Sequence, residues 1–391
     1  MTPDARLAAT IDILDDITAG QPAEKALTNW ARRSRFAGSR DRAAIRDHVF
    51  DVQRRWRSCA ALGGGETGRA LVLGLLRGAG RDVDDVFSGA GYGPAPLTEA
   101  ERAAGRPPAD PAEAADMPDW LWPALVDAQG ADARPIAEAM RNRAPLFLRV
   151  NLNRASVTEA ATALAEEGIA TRPHPLAATA LEVTEGPRKV AGSRAFANGL
   201  VELQDAASQA ICAALPLSDG MKVLDYCAGG GGKALAMGAA HRLEITAHDA
   251  NPARMGDLPN RAERAGLRIA TADRAALPGR GPFDLVLCDV PCSGSGAWRR
   301  APGGKWLLTP ARLEALAEIQ DSILEEARML VAPRGRLAYV TCSLLTREND
   351  ARVEAFVARH PDWQAERRLR FTPLDGGDGF FLAILGRAGQ T

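Results

Sequence analysis

No run of this 391-residue chain approaches the ~18 consecutive apolar residues of a membrane-spanning helix. The start, Met1-Thr2-Pro3-Asp4, lacks the basic-then-apolar pattern of a secretory signal. A cytoplasmic location is therefore expected. Cysteine is sparse: Cys59, Cys212, Cys227, Cys288, Cys292 and Cys342 are too few for a disulfide scaffold and are expected to be reduced thiols. There is no C-x-x-C pair, and the five histidines are scattered without ligand spacing, so no metal site is expected. Lysine is scarce as well, and most of the 48 basic residues are arginine. A net charge of -1 gives no overall attraction to a polyanion, so any such attraction must be local.

What is present is a globular composition, 46% hydrophobic and 25% charged, long enough for two or three domains with a sizeable core in each. Between Lys25 and Ala60, ten basic residues (Lys25, Arg32, Arg33, Arg35, Arg40, Arg42, Arg46, Arg54, Arg55, Arg57) face three aspartates. The excess of seven is largely offset by an acidic stretch from Asp82 to Asp119. Apolar residues at helical spacing (Leu7, Ile11, Leu14, Ile17; Ile45, Val49, Val52, Trp56) make residues 4–78 an all-helical module. Residues 89–118, crowded with Gly, Pro, Ala and acids, read as a linker or loose surface excursion. The layout is then a helical domain over 1–80, a linker with connecting helices over 81–140, a small α+β unit over 141–215 and an α/β domain over 216–391. No internal repeat is visible.

From Met221 onward, strands alternate with helices as a parallel sheet with crossover helices requires. Val223-Leu224-Asp225 runs into the glycine turn Gly229 to Gly232, and the strand after it ends in Asp249. Phe283 to Asp289 runs into Pro291-Cys292, and Arg336 to Thr341 ends in Cys342. Ligands of open α/β sheets bind beyond the carboxyl ends of the strands, and every candidate group falls at such an end. The glycine turn is not a nucleoside-triphosphate loop, because Cys227 takes the first glycine position and Ala234 follows Lys233. It suits an adenosine-containing ligand approached closely by backbone, with Asp249 on the ribose hydroxyls. A Pro-Cys after one strand and a second cysteine after a later one describe a site that attacks a pyrimidine ring and methylates it. Carbon 5 of cytosine is a poor nucleophile until a thiolate adds at carbon 6, and a thiolate also leaves again. The residues alone leave open which cysteine attacks.

Three segments carry a resemblance: Asp225-Tyr226-Cys227-Ala228-Gly229-Gly230-Gly231-Gly232-Lys233; Asp289-Val290-Pro291-Cys292-Ser293-Gly294-Ser295-Gly296 with Arg299-Arg300 and Lys305-Trp306; and Tyr339-Val340-Thr341-Cys342-Ser343. Together they resemble the RsmB/Nop/Sun family of RNA cytosine carbon-5 methyltransferases. Leu148-Arg149-Val150-Asn151, Leu203-Gln204-Asp205, Glu348-Asn349 and Asp378-Gly379-Phe380-Phe381 extend the likeness over roughly residues 118 to 385. The basic helical start is similar to the NusB-like RNA-binding domain of the bacterial RsmB branch. Where the family usually has Ala-Pro the chain has Gly229-Gly230; Ala234 replaces a Thr or Ser, and Ala301-Pro302-Gly303-Gly304 replaces a His-Pro-Asp pattern.

The resemblance implies a Rossmann-like class I methyltransferase domain, a small RRM-like α+β subdomain, a NusB-like helical domain and S-adenosylmethionine as cofactor. It implies Cys342 as the nucleophile, Cys292 as the thiol that assists release, and Asp289 on the base edge. Cys227, Ala228, Gly229, Gly230, Gly231, Gly232 and Lys233 would wrap the cofactor, with Asp249 on its ribose, Asp273 at its adenine and Asp289 close by. Lys233 would pair with the cofactor's carboxylate or a nearby acid. Arg299, Arg300 and Lys305 beside the catalytic motif, and Arg32, Arg33 and Arg35 in the helical module, are expected on RNA phosphate. The other four cysteines are expected to be structural. The expected substrate is an unpaired or flipped-out cytosine of small-subunit (16S) rRNA, with no membrane, metal or obligate protein partner. The alternatives are a tRNA substrate, a non-catalytic RNA-binding assembly protein of the same fold, and a DNA cytosine methyltransferase. The last also uses a Pro-Cys, but as the attacking thiol, and has no need of Thr341-Cys342-Ser343.

Overall fold

A computed structural model describes residues 1–389; the last two positions of the expected 216–391 domain lie outside the described residues. The chain forms two compact units. One is Met1–Arg143 together with Trp298–Leu308, and the other is Ala144–Ala297 with the chain from Thr309 onward. No helix among the described residues is long and apolar enough to cross a membrane.

The first unit is helical: α1 (Pro3–Thr18), α2 (Ala23–Arg33), α3 (Ser39–Arg54), α4 (Trp56–Gly63) and α5 (Gly68–Gly78) precede α6 (Leu121–Gln129) and α7 (Ala133–Met140). The Thr2 hydroxyl accepts the Ala5 amide at 3.2 Å with Pro3 in the first turn, and Thr67 caps α5 in the same way. The periodic positions Leu7, Leu14, Ile45, Val49 and Val52 converge with Trp30, Leu71 and Leu76 in one core.

Two features depart from the sequence reading. Residues 89–118 are not a loose excursion. Asp116 is fully buried, accepts the Ser58 amide at 2.8 Å and hydroxyl at 2.9 Å, and pairs with Arg141 at 3.1 Å. Arg77 donates to the carbonyls of Leu62, Glu101 and Ala104, and Arg106 holds Glu113 at 2.6 Å. The segment lacks periodicity because arginines from elsewhere satisfy its backbone, which no local pattern records.

The second feature is the segment 298–308, which completes the end of α3. The last-turn carbonyls of a helix have no intrahelical partner. Here the Trp306 indole donates to Gln53 O at 2.7 Å and Lys305 Nζ to Arg54 O at 2.9 Å, while Arg54 Nε donates to Arg299 O at 2.8 Å.

The second unit carries two sheets. β1 (Leu146–Val150), β2 (Thr171–Pro173), β3 (Ala180–Val183) and β4 (Val201–Leu203) form an antiparallel sheet in the order β2-β3-β1-β4, covered by α8 (Val157–Glu166). The larger sheet comprises β5 (Lys222–Asp225), β6 (Glu244–Ala247), β7 (Ile269–Thr271), β8 (Phe283–Asp289), β9 (Val331–Thr341), β10 (Trp363–Phe371) and β11 (Phe380–Arg387). Its order is β10-β11-β9-β8-β5-β6-β7, parallel except for the antiparallel pairs of β11 with β9 and β10. The order reverses between β5 and β8, the switch point where such sheets bind ligands. This is a Rossmann-like doubly wound arrangement. Buried Leu224, Val286, Leu287, Tyr339 and Phe381 fill the two faces of the sheet.

Candidate active site

β5 delivers Asp225 and the glycine turn to one side of the switch point, and β8 delivers Asp289 and Cys292 to the other. The turn enters α9 (Gly232–Ala240) through Gly231, whose φ of +78° is left-handed; a Cβ there would lie 2.2 Å from Leu258. The Ala228 amide donates to His248 O at 2.8 Å, and the Gly229 amide to Asp249 Oδ2 at 2.8 Å. Asp249 also accepts from the Asn251 amide at 2.9 Å and pairs with Arg254 at 3.1 Å. One cavity of about 460 Å³ is lined by the turn (Cys227 to Gly230), Lys233, Asp289 and both Cys292 and Cys342.

The smaller sheet braces this turn, a role the sequence reading left unassigned. Arg149 Nη1 donates to Gln204 Oε1 at 2.8 Å and to Gly232 O at 3.0 Å, and Gln204 donates to the same carbonyl at 3.3 Å. Burial lowers the Arg149 guanidinium to about 10. Asn151 binds Gly199 O and Ala265 O. These are the residues of the Leu148-Arg149-Val150-Asn151 and Leu203-Gln204 segments, so the signal was visible although the contact was not.

The Cys292 and Cys342 sulfurs lie 3.4 Å apart, both half-buried. The hydrogen bond with Cys342, then burial, holds the Cys292 thiol well above its ordinary range. Lys233 Nζ meets Asp289 Oδ2 at 2.6 Å. Burial, the largest single influence, would pull its ammonium down, but the charge and hydrogen bond of Asp289 together with the nearby cysteines outweigh it and leave the ammonium raised. Asp225 is fully buried, and no hydrogen bond of normal geometry reaches its oxygens; burial and then the Asp289 charge raise it to about 7. Burial pushes Cys59 up to about 12 and Cys212 up to about 11, and raises Cys227 and Cys288 as well.

The structure places the remaining site residues unevenly. Arg32, Arg33, Arg35 and Arg300 are exposed, and Arg33 also pairs with Asp16 at 3.3 Å. Arg299 and Lys305 are buried, and Lys305 is only 2% exposed. The expected phosphate contact of these two is therefore corrected: Lys305 caps α3, and burial lowers its ammonium to about 7. Asp273 is exposed beyond β7 and accepts the Ala276 amide at 2.9 Å, outside the cavity lining. Glu348 stands in the sequence only within the Glu348-Asn349 match, with no role assigned to it. It is fully buried and takes hydrogen bonds from the loops of both cysteines.

Comparison with known proteins agrees with this geometry. The family model "16S rRNA methyltransferase RsmB/F" matches residues 212–385, and a ferredoxin-like domain model of the same family matches 117–190. The chain belongs to the RsmB/F methyltransferase family, whose members use S-adenosylmethionine. It is 36% identical over 298 residues to ribosomal RNA small subunit methyltransferase B of Xanthomonas campestris, covering 71% of this chain and 68% of that one. It is 34% identical over 287 residues to the Klebsiella pneumoniae enzyme of the same name, covering 68% and 65%. The match thus spans about two thirds of those relatives' length. The crystal structure of PH0851 superposes with a TM-score of 0.77 at 22% identity over 99% of each chain. NSun6 from Pyrococcus horikoshii, solved with SFG, gives 0.61 at 18% identity over 69% of this chain and 98% of that one. These two share the fold.

Proposed function

We propose that the chain transfers a methyl group from S-adenosylmethionine to carbon 5 of an unpaired cytosine in small-subunit rRNA, with Cys342 as nucleophile and Cys292 as the release thiol. The observation that carries this reading is the pair of sulfurs 3.4 Å apart at the ends of two adjacent strands, in the same cavity as the glycine turn. The residues present suit the cofactor. The turn exposes backbone to the cavity, and Asp249 stands behind it at the Gly229 amide. The backbone of Cys227 to Gly232 would hold its methionine and ribose portions, Asp249 the ribose hydroxyls and Asp273 the adenine amino group. When bound, S-adenosylmethionine supplies a methyl group on a sulfonium.

The chemistry at the base belongs to the protein's own groups. The Cys342 thiolate adds to carbon 6, and Asp289 hydrogen-bonds the base edge and supports the proton on the ring nitrogen, which places electron density on carbon 5. After methylation, Cys292 assists removal of the carbon-5 proton, the electron pair returns to the ring, and the Cys342 sulfur leaves. Exposed Arg300 and the Arg32, Arg33 and Arg35 group would meet phosphate.

The test is incubation with methyl-labelled S-adenosylmethionine and unmodified small-subunit rRNA, with tRNA and duplex DNA in parallel, followed by identification of the labelled nucleoside. Label in 5-methylcytidine from rRNA, lost in Cys342→Ala, is the expected result. Label in tRNA alone, or none in any substrate from a folded protein, overturns the assignment.

A further inference from the structure

We propose that Glu348 is the positioning residue of the thiol pair: its carboxylate fixes the spacing of Cys292 and Cys342 by binding the residue that follows each. The inference rests on the two-thiol reading above. Oε1 accepts the Ser293 amide at 2.7 Å and Gln320 Nε2 at 3.1 Å, and Oε2 accepts the hydroxyls of Ser293 and Ser343, each at 2.5 Å. Ser293 follows Cys292 and Ser343 follows Cys342, so one rigid group is shared by the two loops.

The rest of the network limits what the loops can do without it. Gln320, buried in α10 (Pro310–Ala327), also donates to Pro291 O at 2.9 Å and so holds the residue before Cys292. Glu348 is itself fixed at its own carbonyl, which accepts the Tyr339 hydroxyl at 2.6 Å. Its neighbour Asn349 accepts the Thr341 hydroxyl at 2.5 Å and donates to Ser343 O at 2.8 Å, bracketing Cys342 on both sides. Behind the Pro-Cys loop, Gly296 donates to Cys342 O at 2.9 Å and packs so closely on Gly379 that a Cβ at 296 would lie 2.1 Å from the Gly379 carbonyl. A buried carboxylate costs stability unless its hydrogen bonds are made. At Glu348 the bonds that satisfy the charge are the same bonds that set the sulfur spacing.

The consequence for the reaction is mutual placement. A nucleophile and a release thiol must reach the same pyrimidine in succession, and a displacement of about 1 Å in either loop is enough to lower the rate by about a hundredfold. Glu348 touches neither the base nor the cofactor in this account.

Sulfur spacing can be read without methylation. Diamide oxidises two neighbouring thiols to a disulfide, both thiol protons passing to the diazene as it is reduced to a hydrazine, and the rate of the Cys292–Cys342 crosslink follows from peptide mass spectrometry. In the full chain without RNA or cofactor, Glu348→Ala is expected to slow this crosslink tenfold or more. Alkylation of Cys342 by iodoacetamide should change less than threefold. Glu348→Gln, which keeps an acceptor and can donate to the two hydroxyls, should restore crosslinking to within threefold of wild type. In methylation assays Glu348→Ala should lower kcat with KM for S-adenosylmethionine within twofold. Crosslinking of a cooperatively melting Glu348→Ala within twofold of wild type overturns the proposal. Should Glu348→Ala not fold, wild-type crosslinking rates in both Ser293→Ala and Ser343→Ala overturn it, and a fivefold slowing in either supports it. Absence of methyl transfer with intact crosslinking behaviour would remove the functional reading and leave the positioning role standing.

Discussion

The ammonium of Lys233 lies 2.6 Å from the carboxylate of Asp289 and 5.1 Å over the Phe380 ring, so the acid at the end of β8 is held against a buried cation from the glycine-turn helix. The pair joins the glycine-turn side of the cavity to the thiol side. Replacing Asp289 with Asn keeps the shape, removes the negative charge on which the proposed support of the ring proton depends, and leaves Lys233 without its charge partner. Methyl transfer should fall by on the order of 10²-fold or more, while single-turnover S-adenosylmethionine binding, followed by calorimetry, falls far less. Equal losses in both would place Asp289 on the cofactor alone.

The two thiols should separate kinetically. Cys342→Ala removes the proposed nucleophile, and activity should drop on the order of 10³-fold or more with no enzyme–RNA species resistant to denaturing electrophoresis. Cys292→Ala leaves attack intact and slows release, so a denaturation-resistant RNA adduct should accumulate after one turnover. Adduct formed by Cys342→Ala and not by Cys292→Ala would reverse the assignment.

At the glycine turn, Gly231→Ala places a Cβ against Leu258 at a φ of +78°. Left-handed backbone and overpacking together predict a loss of about 2–4 kcal/mol, with cofactor affinity falling in parallel. A thermal melt unchanged within 1 °C would show that the turn is far softer than its geometry.

Lys305 gives a pH signature in the helical unit. Its folded-state ammonium is lowered to about 7 by burial, against 10.5 when unfolded. Between these values the unfolded chain holds the extra proton, so this residue's contribution to stability improves as pH rises from 7 toward 10 and is least favourable below 7. Each pH unit of that depression corresponds to about 1.4 kcal/mol. Denaturant unfolding of wild type minus Lys305→Met should therefore shift in favour of wild type as pH rises. A flat or opposite trend would mean that Lys305 stays charged in the fold.

The catalytic sheet was legible because its central strands are buried on both faces. They appear as apolar runs, and the first polar residue after each, such as Asp225 or Asp289, marks a carboxyl end. The paired cysteines were legible as strand-end residues, although their 3.4 Å separation depends on β8 and β9 being neighbours. Side-chain partnerships across long stretches of chain were not. Glu348 meets Ser293 from 55 positions away, and Lys305 meets Arg54 O from 251. Read locally, Arg299, Arg300 and Lys305 are a run of solvent-facing charge. In the fold, the Arg54 carbonyl at the end of α3 takes Lys305, and the Arg54 side chain takes the backbone carbonyl of Arg299.

The capping of α3 by residues 298–308 also bears on how the protein can be divided. The helical unit is not a continuous stretch of chain: Trp298, Arg299 and Lys305 are part of its interior, yet they follow Cys292 by six, seven and thirteen residues. A fragment of residues 1–143 lacks its own plug, and a fragment from 144 onward carries that plug with nothing to receive it. Cutting the chain between 143 and 144 should therefore yield two pieces that are each poorly soluble alone and that reassociate when expressed together, because residues 298–308 of the second piece complete the helical unit of the first.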